Sequence, residues 1–228
     1  MPFGIACGRK TSSRGGAPVK VLAIDGSTER ASLALLSAGE VVATEAVAVG
    51  HRRSQGLFDG AQRLLSRMGW TWDDVEAFAV GRGPGTYTGL RVSLTAAQGW
   101  ALPGRKPVWT VSSAAALAAE LFSEQLTWEQ VVISGSARRD TIWAAVFERQ
   151  TGLSVRRVSE WTLLPMEARG GEWPELPWGD PQRVPQAEWV GRLYGTGLAS
   201  EECQPIYLHP AVAIAPRFEA DGQPVQGA

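Results

Sequence analysis

The 228-residue sequence holds only two cysteines, Cys7 and Cys203, two histidines, His51 and His209, and three lysines among its 22 basic residues. Each scarcity removes a class of reading. Two cysteines far apart, with no C-x-x-C pair, give neither a disulfide framework nor a thiolate zinc site, and they fit a reducing, cytoplasmic setting. A histidine-bound catalytic metal needs two or three well-spaced ligands. His51 is followed four residues later by Gln55, so no H-x-x-x-H pair exists, and His51 reads as a loop or cap residue. No apolar run of about 18 residues is present to span a bilayer. Residues 1–18 carry Arg9, Lys10 and Arg14 among Gly, Ser and Pro without the apolar stretch of a signal peptide. They are expected to form a disordered leader, and residues 219–228 a disordered tail. With 22 basic and 23 acidic residues the net charge is −1, so neither sign marks a nucleic-acid binder. Any RNA contact has to be local or supplied by a partner.

What the sequence does have is glycine, 26 residues of it, and the densest use lies in residues 75–105. There the buried-strand signal Ala77-Phe78-Ala79-Val80 runs into Gly81-Arg82-Gly83-Pro84-Gly85-Thr86-Tyr87-Thr88-Gly89-Leu90-Arg91. Glycines permit positive φ and close backbone approach, and Pro84 forbids a continuing helix. Thr86 or Thr88 then caps a helix whose apolar positions Leu90, Leu94, Ala97 and Ala101 recur at helical spacing and end near Pro103-Gly104. A strand, a glycine turn and a helix start suit an anion, although the lysine of a P-loop is missing and a ligand-free α/β corner explains the same residues.

The remaining pattern surrounds this unit. Residues 19–25 read as a buried strand ending on Asp25, followed by a turn at Gly26-Ser27-Thr28-Glu29. Residues 31–36 and 40–49 are two further strands joined at Ser37-Ala38-Gly39. Ser54 caps a helix over 54–68 with Leu57, Phe58, Ala61, Leu64, Leu65 and Met68 in one stripe. The spacing then predicts a strand over 107–112, an alanine-rich helix over 114–122, and strands over 130–134, 141–148 and 155–163. Residues 165–185 are rich in Pro, Gly, Glu and Trp, and only 186–194 looks helical. A hairpin pair followed by helix, strand and helix is half of an actin-like or ribonuclease H-like unit, and the pattern restarts in shortened form. The expected division is a first subdomain over 19–106 and a second over 107–218.

Four motifs together resemble the TsaB (YeaZ) family. They are Ile24-Asp25-Gly26-Ser27-Thr28-Glu29, the glycine loop 81–91, Ala137-Arg138-Arg139 before a Trp-bearing strand, and Pro205-Ile206-Tyr207-Leu208-His209-Pro210. The resemblance implies an α/β, actin-like ATPase fold of two tandem subdomains. It also implies a place in the bacterial machinery that makes threonylcarbamoyladenosine on tRNA, as the non-catalytic partner of the related catalytic subunit TsaD. The expected partners are therefore a TsaD-like subunit, a TsaE-like ATPase indirectly, a second copy of this chain when alone, and tRNA only through the complex.

The family carries two histidines four apart in TsaD, and Ser113 and Leu117 stand at those positions here. An actin-like kinase needs two phosphate loops, each with a carboxylate. Asp25 serves the first, but Ser27 stands where a glycine would admit phosphate, and Ser136 stands where the family often has aspartate. No cofactor is expected in the isolated chain, although magnesium-ATP is allowed. The candidate anion or nucleotide set is Asp25, Ser27, Gly83, Gly85, Thr86 and Thr88; an active actin-like kinase or ATPase using it is the alternative. The candidate partner interface lies on the helices over 54–68 and 88–102, with Leu57, Ala61, Ala96, Ala97, Gly99 and Trp100, since small residues let helices approach and Trp anchors interfaces. Arginine at Ala97 or Gly99 is expected to block association while leaving the monomer folded. Arg52-Arg53 and Arg138-Arg139 read as solvated pairs before tRNA contacts, and Trp173, Trp178 and Trp189 as packing rather than base stacking.

Overall fold

The computed structural model describes residues 19–47, 53–138, 140–196, 198–200 and 202–208. The expected leader and tail, together with His51, Arg52, Arg139 and His209, lie outside the described residues, as do the side chains of Arg53 and Ser54.

Three strands open the fold: β1 (Lys20–Asp25), β2 (Ala31–Ser37) and β3 (Glu40–Val47) form an antiparallel meander. The β2–β3 turn places both Ala38 (φ 54°) and Gly39 (φ 85°) in the left-handed region, the conformation that matches the twist of a tight hairpin. Helix α1 (Arg53–Arg67) leads to β4 (Ala77–Gly81), helix α2 (Tyr87–Ala101) to β5 (Val108–Val111), and both strands run parallel to β1. The five-stranded sheet has the order β3-β2-β1-β4-β5, with antiparallel and parallel strands meeting at β1. This is the ribonuclease H-like half from which actin-like folds are built.

Strand β5 belongs to this first sheet, so the division at 106/107 suggested by the sequence does not follow the sheets. The chain leaves the first sheet only after Val111, through helix α3 (Ser113–Glu124). A second, antiparallel sheet follows from β6 (Gln130–Ser136), β7 (Thr141–Arg149), β8 (Val155–Arg157) and β9 (Thr162–Pro165). The single strand expected over 155–163 is two, because β8 pairs with the end of β7 and β9 with its start. Between them the Ser159 hydroxyl accepts from the Val146 amide at 2.9 Å, so a side chain interrupts the ladder. The last helix, α4 (Ala187–Tyr194), returns to cover the first sheet.

Each sheet is packed on both faces. One face of the first sheet holds Leu22, Ile24, Leu33, Phe78 and Val80 against α1 and α2. The other presents Val21, Ala23, Leu36 and Ala79 to a core shared with α3, α4 and the inner face of the second sheet, including Ile133, Ala145 and Phe147. Helix α3 is apolar nearly all round because it lies within this shared core. The outer face of the second sheet is covered by Trp173, Leu176 and Trp178, while Trp189 is buried on α4, so all three take packing roles.

Candidate functional site

Strands β1, β4 and β5 end together at Asp25, Gly81 and Val111, the carboxyl edge where open α/β sheets bind ligands. The turn after β1, the glycine loop after β4 and the start of α3 after β5 all meet there. Asp25 is fully buried. Its Oδ1 accepts from the Ser27 amide at 2.9 Å and the Ser27 hydroxyl at 2.6 Å, a side-chain-closed turn. Its Oδ2 is buried and faces the Ser113 hydroxyl. That oxygen fills a slot left by Gly81, where a Cβ would lie 1.9 Å from Oδ2 and 2.6 Å from the Ser113 hydroxyl. Burial pushes the Asp25 carboxyl above its usual range, opposed by the Ser27 and Ser113 hydroxyls.

The glycine loop is sewn to this node through its backbone. The Ser113 hydroxyl accepts from the Gly83 amide at 3.0 Å, and the Gly83 carbonyl accepts from the Ser113 amide at 2.9 Å and the Ser112 hydroxyl at 3.2 Å. Ser113, at one of the two positions where the resemblance places TsaD histidines, is thus a strut between Asp25 and the loop, and Leu117 is core. Gly83 adopts φ 92°, which only glycine takes readily. Gly85 answers a different demand, since its Cα sits so close to the first turn that a Cβ would lie 2.0 Å from the Ser27 carbonyl oxygen.

The candidate anion set therefore comes together, but not as an open cradle. Asp25, Ser27, Gly83, Gly85 and Thr86 are mutual neighbours, and the Thr86 amide, expected to be free for an anion, donates to the Ser27 carbonyl at 2.7 Å. Thr86 is the helix cap residue, yet its hydroxyl makes no cap bond and donates weakly to the Gly26 carbonyl at 3.5 Å. Thr88 is exposed on the first turn of α2. Residues 198–200 and 202–208 complete this edge. Ser200 pairs with Thr110, the Ile206 amide donates to the Arg82 carbonyl at 2.8 Å, and the Tyr207 ring lies tilted against Tyr87. The described part of the fourth motif, residues 205–208, is thus seated on the second.

The candidate interface divides in two. Leu57, Ala61 and Ala97 are buried by this chain's own first core and are unavailable to a partner, a correction to their expected role. They sit on the inward side of α1 and α2, and the helical spacing that singled them out is that of a core stripe. Ala96 and Trp100 are half-buried and Gly99 is exposed, with nothing within 4 Å of where its Cβ would be. Phe58, expected within the inward stripe, is 45% exposed. It stacks on Trp72 with ring centroids 5.8 Å apart, and Trp100 lies 5.1 Å from Trp72, so three aromatic rings share one half-open face. Trp72 was not a candidate. Its proximity to Phe58 and Trp100 depends on how the 3-10 turn Trp72–Asp74 folds back against both helices. Gly81 and Ser113 were likewise missed as partners of Asp25, although a glycine closing a buried strand was a visible signal.

Known proteins resemble this chain. The family of the tRNA N6-adenosine threonylcarbamoyltransferase TsaD is matched over residues 47–166. The chain is 29% identical over 161 residues to the tRNA threonylcarbamoyladenosine biosynthesis protein TsaB of Escherichia coli (strain K12), covering 68% of this chain and 69% of that one. It is 34% identical over 130 residues to the protein of that name from Haemophilus influenzae, covering 57% and 54% respectively. It thus spans from about half to about two thirds of the curated relatives it matches. Among solved structures, YeaZ from Pseudomonas aeruginosa superimposes with a TM-score of 0.69 and 28% identity, over 83% of this chain and 100% of that one.

Proposed function

The chain belongs to the TsaB (YeaZ) family, whose curated members are named for tRNA threonylcarbamoyladenosine biosynthesis, and we propose that within that process it is a non-catalytic scaffold for a TsaD-type subunit. The observation that carries the scaffold role is the half-open face of Phe58, Trp72 and Trp100 beside exposed Gly99. Clustered aromatics are the commonest anchors of an interface, and a glycine on the same helix face lets a partner helix approach closely. The same face serves self-association when the partner is absent. The packed carboxyl edge supports the non-catalytic half of the reading, because Asp25 is committed to Ser27 and shielded by Gly81. The protein works in the cytoplasm, where tRNA is modified, and meets tRNA and a TsaE-type ATPase through the complex. No helix among the described residues is long and apolar enough to cross a membrane.

Co-expression with the TsaD-type subunit and size-exclusion chromatography test the proposal. Co-elution of the wild type is expected, with loss of co-elution for Gly99→Arg at an unchanged melting temperature. Ala97→Arg is expected to unfold the monomer, since Ala97 is buried. Separate elution of the two wild-type proteins at micromolar concentration overturns the scaffold role. Magnesium-ATP binding by the isolated chain tighter than about 10 μM, with turnover lost in Asp25→Ala, establishes the kinase or ATPase reading instead.

A further inference from the structure

One exposed cluster belongs neither to the aromatic face nor to the Asp25 node, and it is assembled from distant parts of the chain. The rings of Tyr87 and Tyr207 lie with centroids 5.4 Å apart and planes inclined by 31°. Both remain about half exposed, at 51% and 50%. Arg91, one turn along α2, places its guanidinium carbon 5.1 Å from the Tyr87 centroid and donates to the Tyr87 hydroxyl. Tyr207 is held in place by its neighbour Ile206, whose amide donates to the Arg82 carbonyl, and by the Arg82–Glu202 ion pair at 2.8 Å. Tyr207 is therefore positioned from its neighbouring backbone and Tyr87 by Arg91, and each ring keeps open surface.

The electrostatic setting favours an anion. The first turn of α2 carries no acidic side chain, and Thr86 makes no side-chain cap, so no side chain of the helix's own start neutralises the positive end of these 15 residues. The adjoining carboxylate of Glu202 is already engaged by Arg82. Two half-exposed aromatic rings, an arginine lying over one of them and a helix start together suit what a nucleotide presents: a π-surface and a phosphate. An acidic peptide would use the charge but not the rings.

We propose that Tyr87, Tyr207 and Arg91 form a stacking platform for an unpaired nucleotide of RNA, its base on the tyrosine pair and its phosphate toward Arg91 and the start of α2. The proposal rests on the reading of the chain as a subunit acting on tRNA, and it adds a direct RNA contact from this chain to the complex. Stacking needs a ring and not a hydroxyl, so the two kinds of tyrosine variant separate.

The test is fluorescence anisotropy with a labelled tRNA, for the complex with the TsaD-type subunit and for the isolated chain. Tyr87→Leu and Tyr207→Leu are each expected to weaken RNA binding by about fivefold or more, while Tyr87→Phe and Tyr207→Phe retain it. Arg91→Gln is expected to weaken binding and to lower the slope of log affinity against log salt by about one. Co-elution with the partner should be unchanged in all five. Should a leucine variant melt early, Arg91→Gln, on an exposed helix face, carries the comparison. RNA affinity unaltered by the leucine variants and by Arg91→Gln overturns the platform, as does absence of RNA binding by the wild type. Loss of the partner without loss of RNA assigns the surface to protein and overturns it too. If the two wild-type subunits do not assemble, the scaffold reading falls, and the same variants of the isolated chain still decide the platform.

Discussion

Gly85 has no side chain because the Ser27 carbonyl occupies the space one would need, 2.0 Å from the position of a Cβ. Gly85→Ala is therefore expected to push the loop away, break the Thr86–Ser27 hydrogen bond and cost about 2 kcal/mol or more, read as a fall in urea midpoint at unchanged slope. Gly99→Ala is its counterpart on open helix surface and is expected to stabilise by about 0.5 kcal/mol, since alanine is the better helix former and meets nothing within 4 Å. Asp25 adds a pH-dependent test. Burial raises its pKa, so the folded state holds the proton more tightly than the unfolded state does. Its ionisation costs nothing well below the ordinary carboxylate value of about 3.9 and costs progressively more as pH rises above it. Asp25→Asn keeps the acceptor for Ser27 and removes the charge, so its stability relative to wild type should rise as pH rises above the ordinary carboxylate value; a difference that stays flat would show that burial does not penalise the charge. The sequence marked Asp25, Ser27 and the glycines as belonging together, because turn residues after buried strands are locally recognisable. It did not reveal that they pack against each other, since close approach between two loops is a property of their relative placement.

At the scale of the element, residues 198–200 and 202–208 act as a strap across the edge of β5. The buried Thr110 hydroxyl reaches both the Ser200 carbonyl at 3.2 Å and the Glu202 carbonyl at 2.8 Å, and the Thr110 backbone pairs with Ser200 in both directions. Thr110→Val keeps the shape and strands those acceptors, with an expected cost of about 1–2 kcal/mol and faster amide exchange over 198–208. Glu202→Gln removes only an ion pair whose carboxylate side chain is 61% exposed, so it should cost less than about 1 kcal/mol. Thermal melts of the two variants check the order. Most elements were legible because their periodicity is strong: α2 follows the spacing of Leu90, Leu94, Ala97 and Ala101, and β1 is an unbroken apolar run. Pairing was less so. Strand β5 was read as the start of a new unit because its partner β4 lies across a helical crossover, and nothing within four residues of sequence states which sheet they join. The break between β8 and β9 was invisible for a similar reason, being set by the Ser159 side chain bonding to the neighbouring strand.

For the whole molecule, the shared core outweighs any division into halves. Val21, Ala23 and Leu36 of the first sheet and Ile133, Ala145 and Phe147 of the second pack into one cluster, with α3 within it and α4 returning to close it. The return of α4 was not legible, since an eight-residue amphipathic helix says which face it buries but not which sheet it covers. Its packing is tight: a Cβ on Gly191 would lie 2.2 Å from a Leu36 methyl, and Leu193 is fully buried. A helix this short has no stability of its own, so it survives only through contact with the first sheet. If the two sheets stand on one core, damage to α4 must be felt by strands that precede it by most of the chain. Leu193→Ala is expected to cost about 2–5 kcal/mol and to shift the entire urea transition, with tryptophan fluorescence and far-UV circular dichroism remaining coincident. Two separated transitions, with the first sheet unfolding at its wild-type midpoint, would instead make the halves independent folding units joined by a contact of little energy.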